Sequence, residues 1–338
     1  MTVLPSEKSG MLIRLVAEKM LRPRLDYEEF EELKLSELED YGEESYLSKL
    51  MKTDYQRQLS ASLDSLMGKL TYGRRLKTTK ADIENLSLDR MAGFYKTLYS
   101  NPDGMTCVVC GDFNVDAFIT EAVPVFGAMS SSEPNKYGVS YYTQPQGLTV
   151  KEWPNANETQ SAFDYVLYGK YEPSLRGGLT LKLMQNLVRN RLISILREGC
   201  SLVYSPYISL FYNAVPDNVF YFDVNASVDR RNTSIVHRYL NDIIKELKEK
   251  KVSKKELQTL KQIFIVNKRN YLQNDATAGW KSYLVGQLKN GESLEDLENY
   301  EKVLGSITPE DIRQAFDALV NLDNQVILSI GEFTPCEN

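Results

Sequence analysis

The chain carries one long pattern twice, and that repetition constrains its fold more than any other feature. Residues 87–98, SLDRMAGFYKTL, match residues 308–319, TPEDIRQAFDAL. Each stretch opens on a helix-capping hydroxyl residue and continues with acidic side chains. Apolar residues then fall at equivalent helical positions, Met91 with Ile312, Tyr95 with Phe316 and Leu98 with Leu319. The two stretches begin 221 positions apart, at 87 and 308. Each is followed by a short loop and an apolar run ending in glycine, Met105–Phe113 (MTCVVCGDF) and Gln325–Phe333 (QVILSIGEF), with Gly111 and Gly331 220 apart. Upstream, Leu70-Thr-Tyr-Gly73 corresponds to Leu288-Lys-Asn-Gly291, and LDYEEFEELK (25–34) to VSKKELQTLK (252–261), at offsets of 218 and 227.

Four anchors in one order define a unit of about 220 residues, the size of a whole domain rather than of a solenoid repeat. A chain of 338 residues cannot hold two complete copies. The second copy's equivalent of residue 1 lies near residue 228, so the first copy lacks its opening half; the natural polypeptide is expected to continue upstream, this chain being a fragment or a specialised short paralogue. The boundary between copies falls in MSSSEPNKYGVSYYTQPQ (129–146), rich in Ser, Pro, Gly and Tyr and without periodicity. The expected domains are 1–130, the latter part of one unit; 131–146, a linker; and 147–338, a complete second unit.

Within the second unit, Leu148–Trp153 and Gln160–Gly169 alternate as half-buried strands do. A long leucine-rich helix over 175–197 follows, with Gly199 as its left-handed C-cap. Tyr204–Asn213 and Val219–Val228 flank Val215-Pro-Asp-Asn and read as a hairpin. Helices are expected over 230–250, 253–289 and 308–320, and a closing strand over 325–331. Strands come early, helices cluster late and a last strand returns. The fold class is α+β: two tandem related units, each a mainly antiparallel sheet covered on one face by helices, the first truncated at its N-terminus.

The chemistry is bounded by a single histidine. Most hydrolytic zinc sites, Ser-His-Asp triads and Cys-His dyads need histidine as ligand or base. His237 lies in SIVHRYLNDIIKELKEK (234–250), with no Asp, Glu or Cys three or four positions before it, and reads as a structural or exposed residue. Cys107 and Cys110 form a C-x-x-C, but inside an apolar run that reads as a buried strand, where residues three apart point to opposite faces. Phosphate-loop, dinucleotide and nucleophile-elbow motifs are absent from the sequence. A net charge of −6 argues against nucleic-acid binding, which needs a concentrated basic surface. The lysines of 245–255 interleave with Glu246, Glu249 and Glu256 and suit a solvated helix end. No apolar run reaches the roughly 20 residues of a membrane span.

Two stretches, Ile83–Asp116 with its helix, turn and Gly-Asp run, and Leu192–Ser209 (LISILREGCSLVYSPYIS), together with the terminal helices, resemble the pitrilysin/insulinase family of zinc metallopeptidases, the inverzincins. The resemblance extends over essentially the whole chain and matches the family's C-terminal, non-catalytic half. It implies four such α+β units around an enclosed chamber, with the zinc motif H-x-x-E-H in the first. That motif does not occur here. No metal is therefore expected in this chain, zinc belonging to the missing N-terminal half or to a partner subunit that carries H-x-x-E-H, and the chain alone is expected to be inactive.

In active members this half contributes an arginine and, seven positions later, a tyrosine. The matching residues are Arg197 and Tyr204, expected as substrate-binding residues contributing to proteolysis of a peptide. A phenol O–H can stabilise the oxyanion that forms on a scissile carbonyl, and a guanidinium can hold substrate carbonyls in register. The sequence departs from the family's R-E-x-x-G-L-x-Y in having Ser201 before Leu202, with Gly199 earlier. The resemblance also allows a non-proteolytic structural or assembly subunit of the same fold, and on family grounds it favours a bacterial periplasmic setting. A peptide- or glycan-binding module using the 21 tyrosines is a third reading, without ordered aromatic spacing to support it.

Overall fold

Two long strands, β2 (Gln160–Lys170) and β4 (Val219–Asp229), pair antiparallel over their full length and form the spine of the second unit. The computed structural model describes residues 9–41, 59, 61–63, 65–66, 78–99, 101–130, 143, 146–154, 159–214, 217–274, 276–293 and 295–336. The chain divides into two compact units, one of Met1–Lys49 with Thr78–Tyr137 and one of Leu50–Lys77 with Gly138–Asn338.

In the second unit β1 (Leu148–Trp153), β3 (Tyr207–Asn213) and β5 (Gln325–Ile330) complete a five-stranded sheet in the order β1-β5-β2-β4-β3. Only the β1–β5 pair is parallel. The returning strand β5 thus sits between β1 and β2. Alternation along β2 sends Phe163, Tyr165 and Leu167 into the main core and Ala162, Val166 and Tyr168 into a second cluster with Val326, Leu328, Ile330 and Leu59. From Ser161 to Gly169 the strand is buried on both faces, where half-burial was expected. The cause is Leu59, Leu63 and Leu66, which pack on the face away from the main helices.

The main face is covered by α6 (Leu175–Leu192), continued as a π-helical segment Ile193–Gly199, and by α7 (Thr233–Glu249), α8 (Lys254–Asn274), α9 (Ala276–Lys289), α10 (Asp296–Ser306) and α11 (Pro309–Leu319). Helix α7 buries Val236, Leu240, Ile243, Ile244 and Leu247, a stripe at helical spacing. The expected helix over 253–289 is two helices, and α10 was not expected at all. The hairpin's turn residues 215 and 216 lie outside the described residues, as do Leu70–Gly73 and most of the expected linker.

The first unit contains α1 (Ser9–Leu21), α2 (Tyr27–Asp40), α3 (Lys80–Glu84), α4 (Leu88–Tyr99) and α5 (Val115–Gly127). The repeat holds helix by helix. Helices α2 and α8 open 227 positions apart, at Tyr27 and Lys254, and α4 and α11 open 221 apart, at Leu88 and Pro309. The strand expected over 105–113 is corrected: Met105–Cys110 is irregular, Cys107 is exposed and Cys110 half-buried. Its counterpart β5 draws hydrogen bonds from neighbours on both sides, and among the described residues the first unit has no strand to offer them.

Candidate functional site

The segment that carries Arg197 and Tyr204 begins where α6 stops being an α-helix. Ser174 caps the start of α6 by accepting from the Gly177 N–H, and nine residues of the helix are buried. After Leu192 the hydrogen bonds lengthen to the π pattern. The Cys200 N–H donates to the Ile195 carbonyl at 2.9 Å, and the N–H groups of Leu202 and Val203 donate to the Leu196 carbonyl at 2.9 and 3.2 Å. Leu196 and Val203 are both buried in the main core. They pin the two ends of a loop in which residues 197–201 are exposed and Leu202 packs, half-buried, against the core.

Arg197 directly follows one anchor and Tyr204 the other. The Val203-to-Leu196 bond closes the loop just ahead of both residues and holds their backbones side by side. Arg197 is exposed, and Tyr204 is 90% exposed, the highest among the exposed large apolar side chains described. Among the described residues neither makes a hydrogen bond or an ion pair. Tyr204 stands in the loop ahead of β3, which starts at Tyr207, and not in the strand as expected.

Two sparsely populated backbone features occur within this segment. One is the seven-residue π segment, a form that recurs at functional sites. The other is Ser201, with φ of 52°, the one non-glycine residue with positive φ among those described. Gly199 stays inside the π segment, so the left-handed position expected there falls two residues later. Ser201 is also the position at which the family pattern has glycine. Helix α7 braces the loop: the Cys200 thiol lies in hydrogen-bonding contact with the Tyr239 hydroxyl, which raises the Tyr239 pKa.

His237 is committed to structure. It is buried, its Nδ1 accepts from the Cys336 N–H at 3.1 Å, and its Nε2 lies 2.8 Å from Gln325 Oε1. With Nδ1 accepting, the proton resides on Nε2 and is donated to Gln325. Burial lowers its pKa and keeps the ring neutral. Among the described residues no three His, Cys, Asp or Glu side chains converge as a metal site, so the described residues offer nothing that fits the zinc of a peptidase.

Sequence reasoning missed a buried carboxylate pair on the far face of the sheet. Asp164 accepts from Asn225 Nδ2 at 2.6 Å, and burial pushes its pKa up to about 6. Burial and the charge of Asp164 push Asp223 up to about 8, and among the described residues its Oδ1 has no hydrogen-bond partner. The signal was an aspartate inside two apolar runs, SAFDYVLY and VFYFDV.

Residues 85–264 match the family model described as the peptidase M16 inactive domain. No curated protein matches the sequence. Among solved structures, the periplasmic protease PqqL from Escherichia coli superposes with a TM-score of 0.77 at 14% identity, over 96% of this chain and 35% of PqqL. A peptidase M16 inactive domain from Pseudomonas fluorescens gives 0.72 at 17% identity, over 98% of this chain and 77% of that one. The ferredoxin protease FusC, solved as a point mutant in complex with Arabidopsis ferredoxin, gives 0.67 at 16%, over 98% of this chain and 35% of FusC. The chain therefore spans about a third of the length of PqqL and of FusC. Among the described residues no helix is long and apolar enough to cross a membrane.

Proposed function

This chain belongs to the family of the peptidase M16 inactive domain, and from that premise we infer that it acts as the zinc-free half of a metalloendopeptidase. In this reading it forms one wall of a substrate chamber, and Arg197 and Tyr204 contact the peptide. The partner is the catalytic half or subunit bearing H-x-x-E-H, which holds the zinc. A periplasmic setting, as named for PqqL, belongs to the same proposal.

The observation that carries the reading is the conformation of the 197–204 segment. An unusual helical ending and a strained serine place two solvated, unpaired side chains on one short loop between buried anchors. Backbone strain kept in a structure is commonly kept for function. The Tyr204 hydroxyl can donate to the carbonyl oxygen on which charge develops. The Arg197 guanidinium, with several donors in one plane, can hold neighbouring substrate carbonyls.

The test is reconstitution of the 338-residue chain with the half carrying H-x-x-E-H and measurement of peptide cleavage. Tyr204→Phe is expected to lower kcat by about 100-fold, the scale of losing one oxyanion donor. Arg197→Ala is expected mainly to raise KM. Cleavage that is indifferent to both changes would remove the site assignment and favour a structural or assembly subunit instead.

A further inference from the structure

The segment that follows β5, Gly331–Cys336, is tied to β1, β2 and α7, and its ties end at the chain's one histidine. On β1, the Gly331 N–H donates to the Trp153 carbonyl and the Phe333 N–H to Glu152 Oε1, both at 2.7 Å. Ser161 Oγ on β2 donates to the Glu332 carbonyl at 2.6 Å, and the Thr334 N–H donates to Thr233 Oγ1 on α7 at 3.0 Å. The Phe333 ring is 3% exposed and stands edge-on to Phe163 and to the His237 ring, with centroids 5.0 and 5.8 Å away. Beyond it the Cys336 N–H donates to His237 Nδ1.

That last bond admits one protonation state of the ring. Every polar group around it already has a fixed role. Gln325 Oε1 accepts from His237 Nε2, and Gln325 Nε2 donates to Asn241 Oδ1 at 3.1 Å. Asn241 Oδ1 also accepts from the Tyr165 hydroxyl at 2.8 Å, and Asn241 Nδ2 donates to Cys336 Sγ at 3.6 Å. Turning either amide over would set donor against donor. A second proton on the ring goes to Nδ1 and points at the Cys336 N–H, a backbone group that can only donate. No nearby charge offsets the cation. Arg238 and Asp242 on α7 are exposed, β5 presents the Gln325 amide, β2 a Tyr165 phenol that burial keeps protonated, and the segment itself the Phe333 ring and the Cys336 thiol.

We propose that His237 is an acid-sensitive latch: a proton on Nδ1 expels the Cys336 N–H and frees Gly331–Cys336 from α7 and β1. Burial, the larger influence, lowers the ring's pKa, and the Gln325 hydrogen bond raises it. The folded chain therefore favours the neutral ring. The latch's contribution to stability is complete above the ordinary histidine value of 6.5 and is lost as pH falls through the lower value of the folded ring. Neither Arg197 nor Tyr204 takes part, so the latch stands or falls apart from the proposed function.

The single histidine makes the test direct. Nitrogen NMR of the imidazole in the 338-residue chain should show the Nε2-protonated tautomer at about pH 7.5 and a titration midpoint below 6.5. Hydrogen exchange, corrected for the intrinsic rate, should show the amides of Phe333, Thr334 and Cys336 losing at least about tenfold in protection with that same midpoint, while those of β4 keep theirs. His237→Asn places an uncharged acceptor near the Nδ1 position and should hold the protection over the same pH range. It also separates the ring from Glu152, the carboxylate bound to the Phe333 N–H. Protection lost in His237→Asn at an unchanged midpoint would assign the loss to Glu152 and overturn the proposal. So would an Nδ1-protonated tautomer at neutral pH, a ring that stays neutral down to about pH 4, or a ring that titrates while the three amides stay protected. The measurements on the unaltered chain decide the matter by themselves should the variant fold poorly.

Discussion

Ser201 holds a left-handed backbone that L-residues other than glycine, asparagine and aspartate seldom adopt, at a cost of about 1–2 kcal/mol. Ser201→Gly should remove that cost while adding chain entropy to the unfolded state worth about 0.4–1 kcal/mol. The expected net gain is about 0.5–1 kcal/mol, read as a higher urea midpoint with an unchanged slope. Ser201→Val should lower the midpoint, because a β-branched side chain makes the same conformation worse. At Asp223 the effect depends on pH. Its carboxyl titrates at about 8 in the folded chain and near 4 when unfolded, so folding favours the protonated form. The stability this carboxyl contributes is complete below its unfolded pKa and is lost as pH rises through about 8. Asp223→Asn, fixed in the neutral form, should therefore raise Tm at about pH 8.5 clearly more than at about pH 5; an equal gain at both would exclude a buried titrating carboxyl. Of these residues the sequence made Arg197, Tyr204 and the Ser201 departure visible. The π segment was not visible, because the apolar pattern of Leu192 and Leu196 reads the same in an α-helix, and glycine at 199 drew the left-handed position to itself.

Among elements, the closing strand and its glycine expose what a sheet demands. Gly331 has φ of 100°, and an added Cβ would lie 2.8 Å from Ser161 Oγ and 2.9 Å from the Gln160 carbonyl oxygen. Gly331→Ala should therefore cost about 2 kcal/mol or more, through strain and collision with backbone. Gly111, its counterpart, has no positive φ, and the nearest atom to an added Cβ is Phe113 Cδ1 at 3.5 Å. Gly111→Ala in the isolated chain should change stability by less than about 1 kcal/mol. Guanidinium titration of both variants measures the contrast, and equal losses would mean that the 105–110 run is already built into a sheet. The helices were the legible elements, since caps and 3.6-residue periodicity are local. Thr308 and Asp311 form a reciprocal capping box at α11, and Ser87 accepts from the Arg90 N–H ahead of α4. Strand formation was not legible in the same way. Met105–Cys110 has a strand's composition, but a strand exists only with neighbours. Helix α10 escaped notice because Tyr300 and Leu304, its buried contacts, were too few to outweigh the surrounding charge.

At the scale of the whole chain, stability is distributed unevenly. Of the 23 exposed large hydrophobic side chains described, 15 belong to the smaller first unit. Its buried apolar residues include Ile13, Ala17, Phe30 and Ile83, whereas one continuous core of the second unit joins strands β2 to β5 with the helices that cover them. Since burial of apolar area is the main favourable term in folding, at about 25 cal/mol per Å², the first unit should unfold at lower denaturant than the second. The chain's two tryptophans separate the events. Trp153 ends β1 and Trp280 lies on α9, both in the second unit, so their fluorescence follows that unit alone. Far-UV circular dichroism follows the helices of both. The isolated chain should therefore lose ellipticity in two steps, the earlier without any change in tryptophan emission, and coincident curves would show that the two units unfold as one.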